Sequence, residues 1–390
     1  MLDRLWPSRR IPLAWLLLTR QPVRLLVALA GISFAGILMF MQLGFRDGLF
    51  EASVTVHRKF AADLVLISPR TMSSIGMAPF LRRRLVQAMA DPDVRGITPV
   101  HWNLLLWRNP DTRSTRSILT LGFEPGDPLF NDPQLAEQAR LLTQKGRVLF
   151  DEQSRPEFGP IAERFRAGEV VETEVAGTRV RVVGLLAIGP SFGADGNLLT
   201  SRETFLSLMP QTPPGSIELG LIRLAPEADP LLVAERLRQL LPPDVRVFTK
   251  EAFEEFEKTY WRTSTAIGFI FTLGAAMGFV VGCVIVYQIL YSDVSDHLAE
   301  YATLMAMGYP LPRLLGVVAR EGLLLAVLGY VPAYLAGLGL YALVRGGTRL
   351  PVFMDPQRAW LVFSMILVMC MASAALAMRR LADADPAEIF

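Results

Sequence analysis

The sequence predicts a membrane α-helical protein with four transmembrane helices, one before and three after a large α+β domain built as a βαβ-type base with an inserted β-rich subdomain. Three observations carry that prediction. Leu25 to Phe45 is a run of 21 residues without a charge, bracketed by Arg24 and Arg46. Three more apolar runs, about Ala266 to Tyr291, Gly322 to Val344 and Trp360 to Met378, crowd the end of the chain. The polar stretch from residue 46 to residue 262 repeats a strand, helix, strand grammar twice. Composition agrees: 52% hydrophobic residues beside 19% charged ones suits a chain shared between lipid and water. A net charge of +2, from 39 basic and 37 acidic residues, gives no field that would favour nucleic acid.

The elements follow in chain order. "IPLAWLLLTRQPVR" has Pro12 at a helix start and Trp15 among leucines, an amphipathic lead-in for the membrane interface. The Leu25 to Phe45 run spans roughly 30 Å as a helix, enough for the hydrocarbon core. It exceeds the apolar core of a signal peptide, and "MQLGFRDGLF" offers no small-residue cleavage site. Next come "DLVLIS", helical "PFLRRRLVQAMA" and "VRGITPV", then later "IELGLIRL", helical "DPLLVAERLRQLLP" and "VRVFT". Asp91-Pro92 and Pro242-Pro243 end the two helices. Between these repeats, roughly residues 101 to 216, "EVVETEVAGTRVRVVGLL" alternates on either side of Ala176-Gly177 as a hairpin should.

From Asp244 to Tyr309 there is no proline, although the chain holds 27 in 390 residues. Helical patterning from Lys250 to Asp293 permits one rod of roughly 65 Å, far longer than a bilayer is thick. Two helices joined near Thr263 are the alternative. On this segment Gly274, Gly278 and Gly282 recur every four residues, and Gly329, Ala333 and Gly337 repeat the pattern on the third span. Small residues let helices approach closely where lipid supplies no hydrophobic drive, either within one subunit or across a dimer. No ionisable residue lies mid-span; Arg320 and Glu321 sit at an edge, which places them at headgroup level.

Basic residues set the orientation. Arg4, Arg9, Arg10, Arg20 and Arg24 precede the first span, Arg313 and Arg320 lie in the loop before the third, and Arg379 and Arg380 follow the last. The opposite short loop carries Arg345, Arg349 and Arg358. This bias puts both termini in the cytoplasm, with the loop His297 to Pro310 on the same side. From Asp293 to Gly308 a short helix can show Leu298, Tyr301, Ala302 and Met305 on one stripe, edged by Asp296, His297 and Glu300, before Gly308 and Pro310 end it. Its lack of Lys and Arg argues against a lipid-surface helix and for a groove in a cytoplasmic protein partner.

Chemistry is sparse. His57 and His101 lack ligand-like neighbours, and "KEAFEEFEK" offers Glu254, Glu255 and Glu257 as acids, yet Glu254 to Lys258 reads as an ordinary i,i+4 pair. The two cysteines, Cys283 and Cys370, lie in apolar runs, so the polar region has no disulfide framework. None of the four lysines stands in a phosphate loop, and no hydrolase motif occurs, so the chain is read as a non-enzyme with no catalytic or metal residues.

"EYATLMAMGYP" resembles the coupling segment of MacB/FtsX-type ABC transporter permeases, while "LAWLLLTRQPVRLLVALAGISFAGILMFMQLGFRDGLFEASV" and "RRLADADPAEIF" are similar to their DevC-like branch. The resemblance implies a four-span homodimeric subunit of the bacterial inner membrane, with a periplasmic domain over residues 47–262 and the coupling helix near 293–308. A separate cytoplasmic ATPase would bind ATP and Mg, and a periplasmic membrane-fusion adaptor and a TolC-like outer-membrane channel would complete a tripartite exporter. Leu298, Glu300, Tyr301, Ala302, Thr303, Leu304, Met305, Ala306, Met307 and Gly308 would contact the ATPase. A membrane-anchored sensor or scaffold, whose outer domain binds a ligand and whose loop recruits a signalling protein, is the alternative from another class.

Overall fold

The computed structural model describes residues 20–297, 300, 303, 307, 311–348 and 350–382. It divides into a helical unit, Met1–Gly48 with Ile267–Phe390, and an α+β unit, Leu49–Ala266. The expected lead-in helix lies largely outside the described residues.

Helix α1, Pro22–Ser53, is the first element among the described residues and ends inside the α+β unit. That unit then runs β1 (Leu64–Ile67), β2 (Phe80–Leu81), α2 (Arg83–Gln87), β3 (Val94–Arg108), β4 (Thr115–Phe123), α3 (Pro133–Ala139), β5 (Arg147–Asp151) and α4 (Ile161–Arg166). It continues with β6 (Glu172–Val175), β7 (Thr178–Leu186), β8 (Asn197–Ser201), α5 (Arg202–Leu208), β9 (Ser216–Ile217), β10 (Leu219–Leu224), α6 (Pro230–Leu240), β11 (Arg246–Thr249) and α7 (Lys250–Thr263).

Nine strands form one sheet in the order β11-β1-β10-β3-β4-β8-β5-β7-β6, and β2 pairs with β9 apart from it. β1-α2-β3 and β10-α6-β11 are the two repeats read in the sequence. Their strands interleave, each antiparallel to its neighbour, as a split βαβ base. The inserted β-rich part does not begin a new sheet at residue 101. β3 runs 15 residues without a break, pairing with β10 through its first half and with β4 through its second. β1 reads as unbroken apolar sequence because both of its faces are covered: Leu64 and Leu66 pack with Leu85, Val233 and Leu237, while Val65 and Ile67 pack with Trp102, Leu121 and Phe253. The hairpin between β6 and β7 turns at Ala176 and Gly177, with φ of 48° and 77°, the left-handed pair that a two-residue turn of this kind requires.

The long rod is not continuous. α7 ends at Thr263 and α8, Ala266–Asp296, begins three residues on. The hydroxyls of Thr263 and Thr265 donate to the carbonyls of Thr259 and Trp261, four residues back, so three consecutive hydroxyl residues compete locally with the helix ladder. Absence of proline therefore did not suffice for continuity.

In the helical unit α1 and α8 join α9 (Leu311–Thr348) and α10 (Pro356–Ala382). Among the described residues four helices are long and apolar enough to cross a membrane, and only 22–39% of each one's most apolar window is buried against its neighbours. Ile32, Met39 and Phe40 of α1, Val286 and Leu290 of α8, Leu325 and Ala333 of α9, and Ile366 and Cys370 of α10 make the shared core. Outward, Phe269, Met277, Val280 and Val284 are each more than half exposed, an apolar sheath that water would not tolerate and lipid satisfies. Cys370 is fully covered, and Cys283 packs beside the same core.

Candidate coupling site

The segment expected to meet an ATPase is described at three positions. Glu300 and Thr303 are helical, and Met307 follows in a turn with its N–H donating to Thr303 O at 3.0 Å; all three are exposed, Met307 by 64%. Leu298, Tyr301, Ala302, Leu304, Met305, Ala306 and Gly308 lie outside the described residues.

The chain leading to this segment ends in a polar cluster that sequence reading missed. Arg24 of α1 donates to Asp296 Oδ2 at 2.6 Å and approaches Asp293 Oδ1 at 3.7 Å. His297 folds back so that its Nδ1 meets Asp293 O at 2.9 Å. Glu321 of α9 lies with its side chain against that of Asp293 and is 0% exposed. Glu321 is thus buried among the helices, because the residue falls on the inward stripe of its helix. Counting back by fours from Gly337 through Ala333, Gly329 and Leu325 arrives at Glu321, a signal present in the sequence.

Both small-residue stripes meet α1 in this subunit. A Cβ on Gly274 would press on Gln42, on Gly278 would stand 3.3 Å from Leu38 Cβ, and on Gly282 would collide with Met369 and Ala35. Across from them Gly329 admits Ile32, Ala333 faces Gly36, and Gly337 rests on Phe40 and Met354. At the other end of the helical unit Arg358, 9% exposed, donates to Asp47 Oδ2 through Nε and Nη2 at 3.1 and 2.9 Å.

In the α+β unit, the end of α1 and helix α7 are tied together. Glu51 accepts from Lys258 at 2.6 Å and from Arg58, which also reaches Glu254 at 3.4 Å. Lys258 and Glu254 therefore each bind a group from the α1 side rather than forming the i,i+4 pair expected between them. Deeper, His57 Nε2 and Ser74 Oγ are 2.7 Å apart, and Ser74 Oγ and N both donate to Glu257 Oε2, at 2.7 and 2.8 Å. Trp261 Nε1 supplies the other carboxyl oxygen at 2.9 Å. Since the Ser74 proton goes to Glu257, His57 must donate through Nε2, leaving its buried Nδ1 without a partner. Burial holds His57 down to about 3, so it is neutral. Burial likewise raises the Glu257 carboxyl, partly countered by its Ser74 and Trp261 donors. The serine stands between histidine and glutamate, so the histidine is not oriented as a base by the acid, and the arrangement is a fastening rather than a hydrolytic triad.

His101 is a second fastening, 2.9 Å from Glu218 and buried. Among the described residues no group of three ligand-type side chains could hold a metal. A groove of about 670 Å³ in the same unit is bordered by Arg58, Lys59, Asp132, Glu152 and Arg166, but these charges are committed locally: Lys59 to Ala187 O, Arg166 to Glu152, and Asp132 to the first turn of α3.

Among the described residues, four apolar helices around buried polar ties, with a large mixed unit inserted after the first, have the make-up of a membrane protein. Residues 264–386 match the FtsX-like permease C-terminal domain. That stretch, about a third of the chain, carries an FtsX-like permease domain. No curated protein matches it. Among solved structures, the periplasmic region of MacB from Actinobacillus actinomycetemcomitans is similar at 11% identity and a TM-score of 0.36, covering 50% of this chain and 92% of that one. The extracellular domain of the noncanonic ABC-type transporter YknZ from Gram-positive bacteria is similar at 13% identity and a TM-score of 0.31, covering 48% and 99%.

Proposed function

We propose that this chain is the permease subunit of a tripartite exporter of the DevC-like kind, carrying motion from a separate cytoplasmic ATPase to its periplasmic domain. The observation that supports this reading best is the double tie in the α+β unit. The two segments through which that unit is chained to membrane helices, the end of α1 and α7, are held to each other by Glu51–Lys258, Arg58–Glu254 and the His57–Ser74–Glu257 chain. A domain gripped at both of its connections moves as one body when its helices move. The ATP-bound partner must favour one arrangement of the subunits, because only differential affinity shifts a conformational equilibrium. In this reading the chain works as a homodimer, the residues from Leu298 to Gly308 seat in the ATPase, and a membrane-fusion adaptor with a TolC-like channel completes the path.

The test is to place a charge in the proposed coupling segment. Leu304→Asp or Met305→Asp is expected to abolish transport and stimulation of the partner ATPase while leaving expression intact. Wild-type coupling in either well-expressed variant would refute the docking. Co-purification of a P-loop ATPase with the wild-type chain is expected alongside; recovery of a kinase-like protein instead would favour a sensor.

A further inference from the structure

The fully buried Glu321 has no hydrogen-bond donor at either carboxyl oxygen among the described residues, and its side chain faces that of Asp293. Two ionised carboxylates in contact inside a helical bundle repel each other, and each loses its hydration, a cost of several kcal/mol. The cations at hand are too few. Arg24 is the cation placed against the cluster, and its close contact, 2.6 Å, is with Asp296, leaving Asp293 at 3.7 Å. His297 uses Nδ1 toward the Asp293 carbonyl and stands 3.7 Å from the carboxyl. Arg320, the residue before Glu321, is exposed. From α10, the groups packed at this level of α9 are Cys370 and Ala374, against Gly322, and they bring no charge. With all three acids ionised and Arg24 the sole cation against them among the described side chains, the cluster would hold a net charge of about −2, which a single added cation shared by the two touching carboxyls relieves.

We propose that Glu321 and Asp293 hold one proton in common, and that this proton fastens α9 to α8 where α1 brings Arg24. A proton fits the geometry because it turns direct carboxyl contact into an O–H···O bond, whereas a metal ion would need further oxygen ligands that the described residues do not supply. Losing the proton restores the repulsion and frees the foot of α9, the helix that follows the loop 298–310. The titration belongs to the pair, not to either residue.

Infrared spectroscopy of the full-length protein in lipid nanodiscs tests this directly. At neutral pH the wild-type protein is expected to show a protonated-carboxyl carbonyl stretch, shifted by deuterium exchange, that Glu321→Gln lacks. Identical spectra for the two proteins would overturn the proposal. A second arm uses thermal melting. Glu321→Gln can donate its amide N–H to Asp293 without titrating, so it is expected to melt like wild type at neutral pH and to resist the alkaline destabilisation that wild type shows. An alkaline loss of equal size in both would also overturn it, as would sodium-dependent stability in wild type without the carbonyl band, since that would assign the pair to a metal cation.

Discussion

His57 shows how much one side chain can reveal. Its ring centroid lies 4.9 Å from that of Phe253 and 5.6 Å from that of Trp102, it gives its Nε2 proton to Ser74, and burial disfavours its gaining another. Folding therefore favours the neutral ring. A group whose value falls on folding contributes stability that is complete above its ordinary 6.5 and is lost as pH drops toward about 3. The protein should accordingly lose stability on acidification through that window, and His57→Gln, which keeps a donor for Ser74 but cannot charge, should flatten the loss. Melting followed by tryptophan fluorescence at stepped pH checks it, with Trp102 as the nearby reporter; unchanged acid sensitivity in the variant would contradict the account. Sequence gave His57 only a structural role by elimination, since Ser74 and Glu257, 17 and 183 residues away in sequence from their partners, could not be paired with it by spacing.

Among the elements, the spans were the most legible because length and absence of charge are enough to specify them, and the β6–β7 turn was readable because Ala176-Gly177 lies between two alternating runs. The break between α7 and α8 was legible only as the alternative of two helices joined near Thr263, since Thr263, Ser264 and Thr265 neither forbid a helix nor demand its end. The burial of Glu321 was missed for a related reason: a charge near the end of an apolar run looks wet unless the inward stripe is extended through it. Helix packing itself makes a sharp contrast between two glycines. Gly282 has Met369 and Ala35 where a side chain would go, while Gly339 has nothing within 4 Å. Gly282→Val should destabilise the helical unit by about 1–3 kcal/mol through overpacking. Gly339→Ala should be neutral or stabilising by up to about 1 kcal/mol, since alanine is the better helix former. Melting temperatures of both variants in one detergent decide the matter, and equal behaviour would mean that α1 does not seat against α8 as described.

For the whole molecule, the tie between Glu51 and Lys258 is where the proposed transmission can be cut without touching either the loop or the membrane core. Glu51→Lys should repel Lys258 and Arg58 and uncouple transport from ATP hydrolysis, so that the ATPase turns over while export falls. Adding Lys258→Glu should recover part of the export, because the reversed pair restores one attraction while Arg58 keeps its contact with Glu254. A double variant no better than the single one would show that the tie is incidental.

The placement of the two thiols has a practical corollary. Residues 49–266 contain no cysteine, Cys370 is sealed, and Cys283 sits among apolar neighbours. A cysteine introduced at Leu231, 69% exposed on α6, would offer a maleimide dye its one readily wetted target. The native chain is thus already a near-silent background for single-molecule fluorescence, and movement of the inserted domain can be timed without first engineering its own sulfur away.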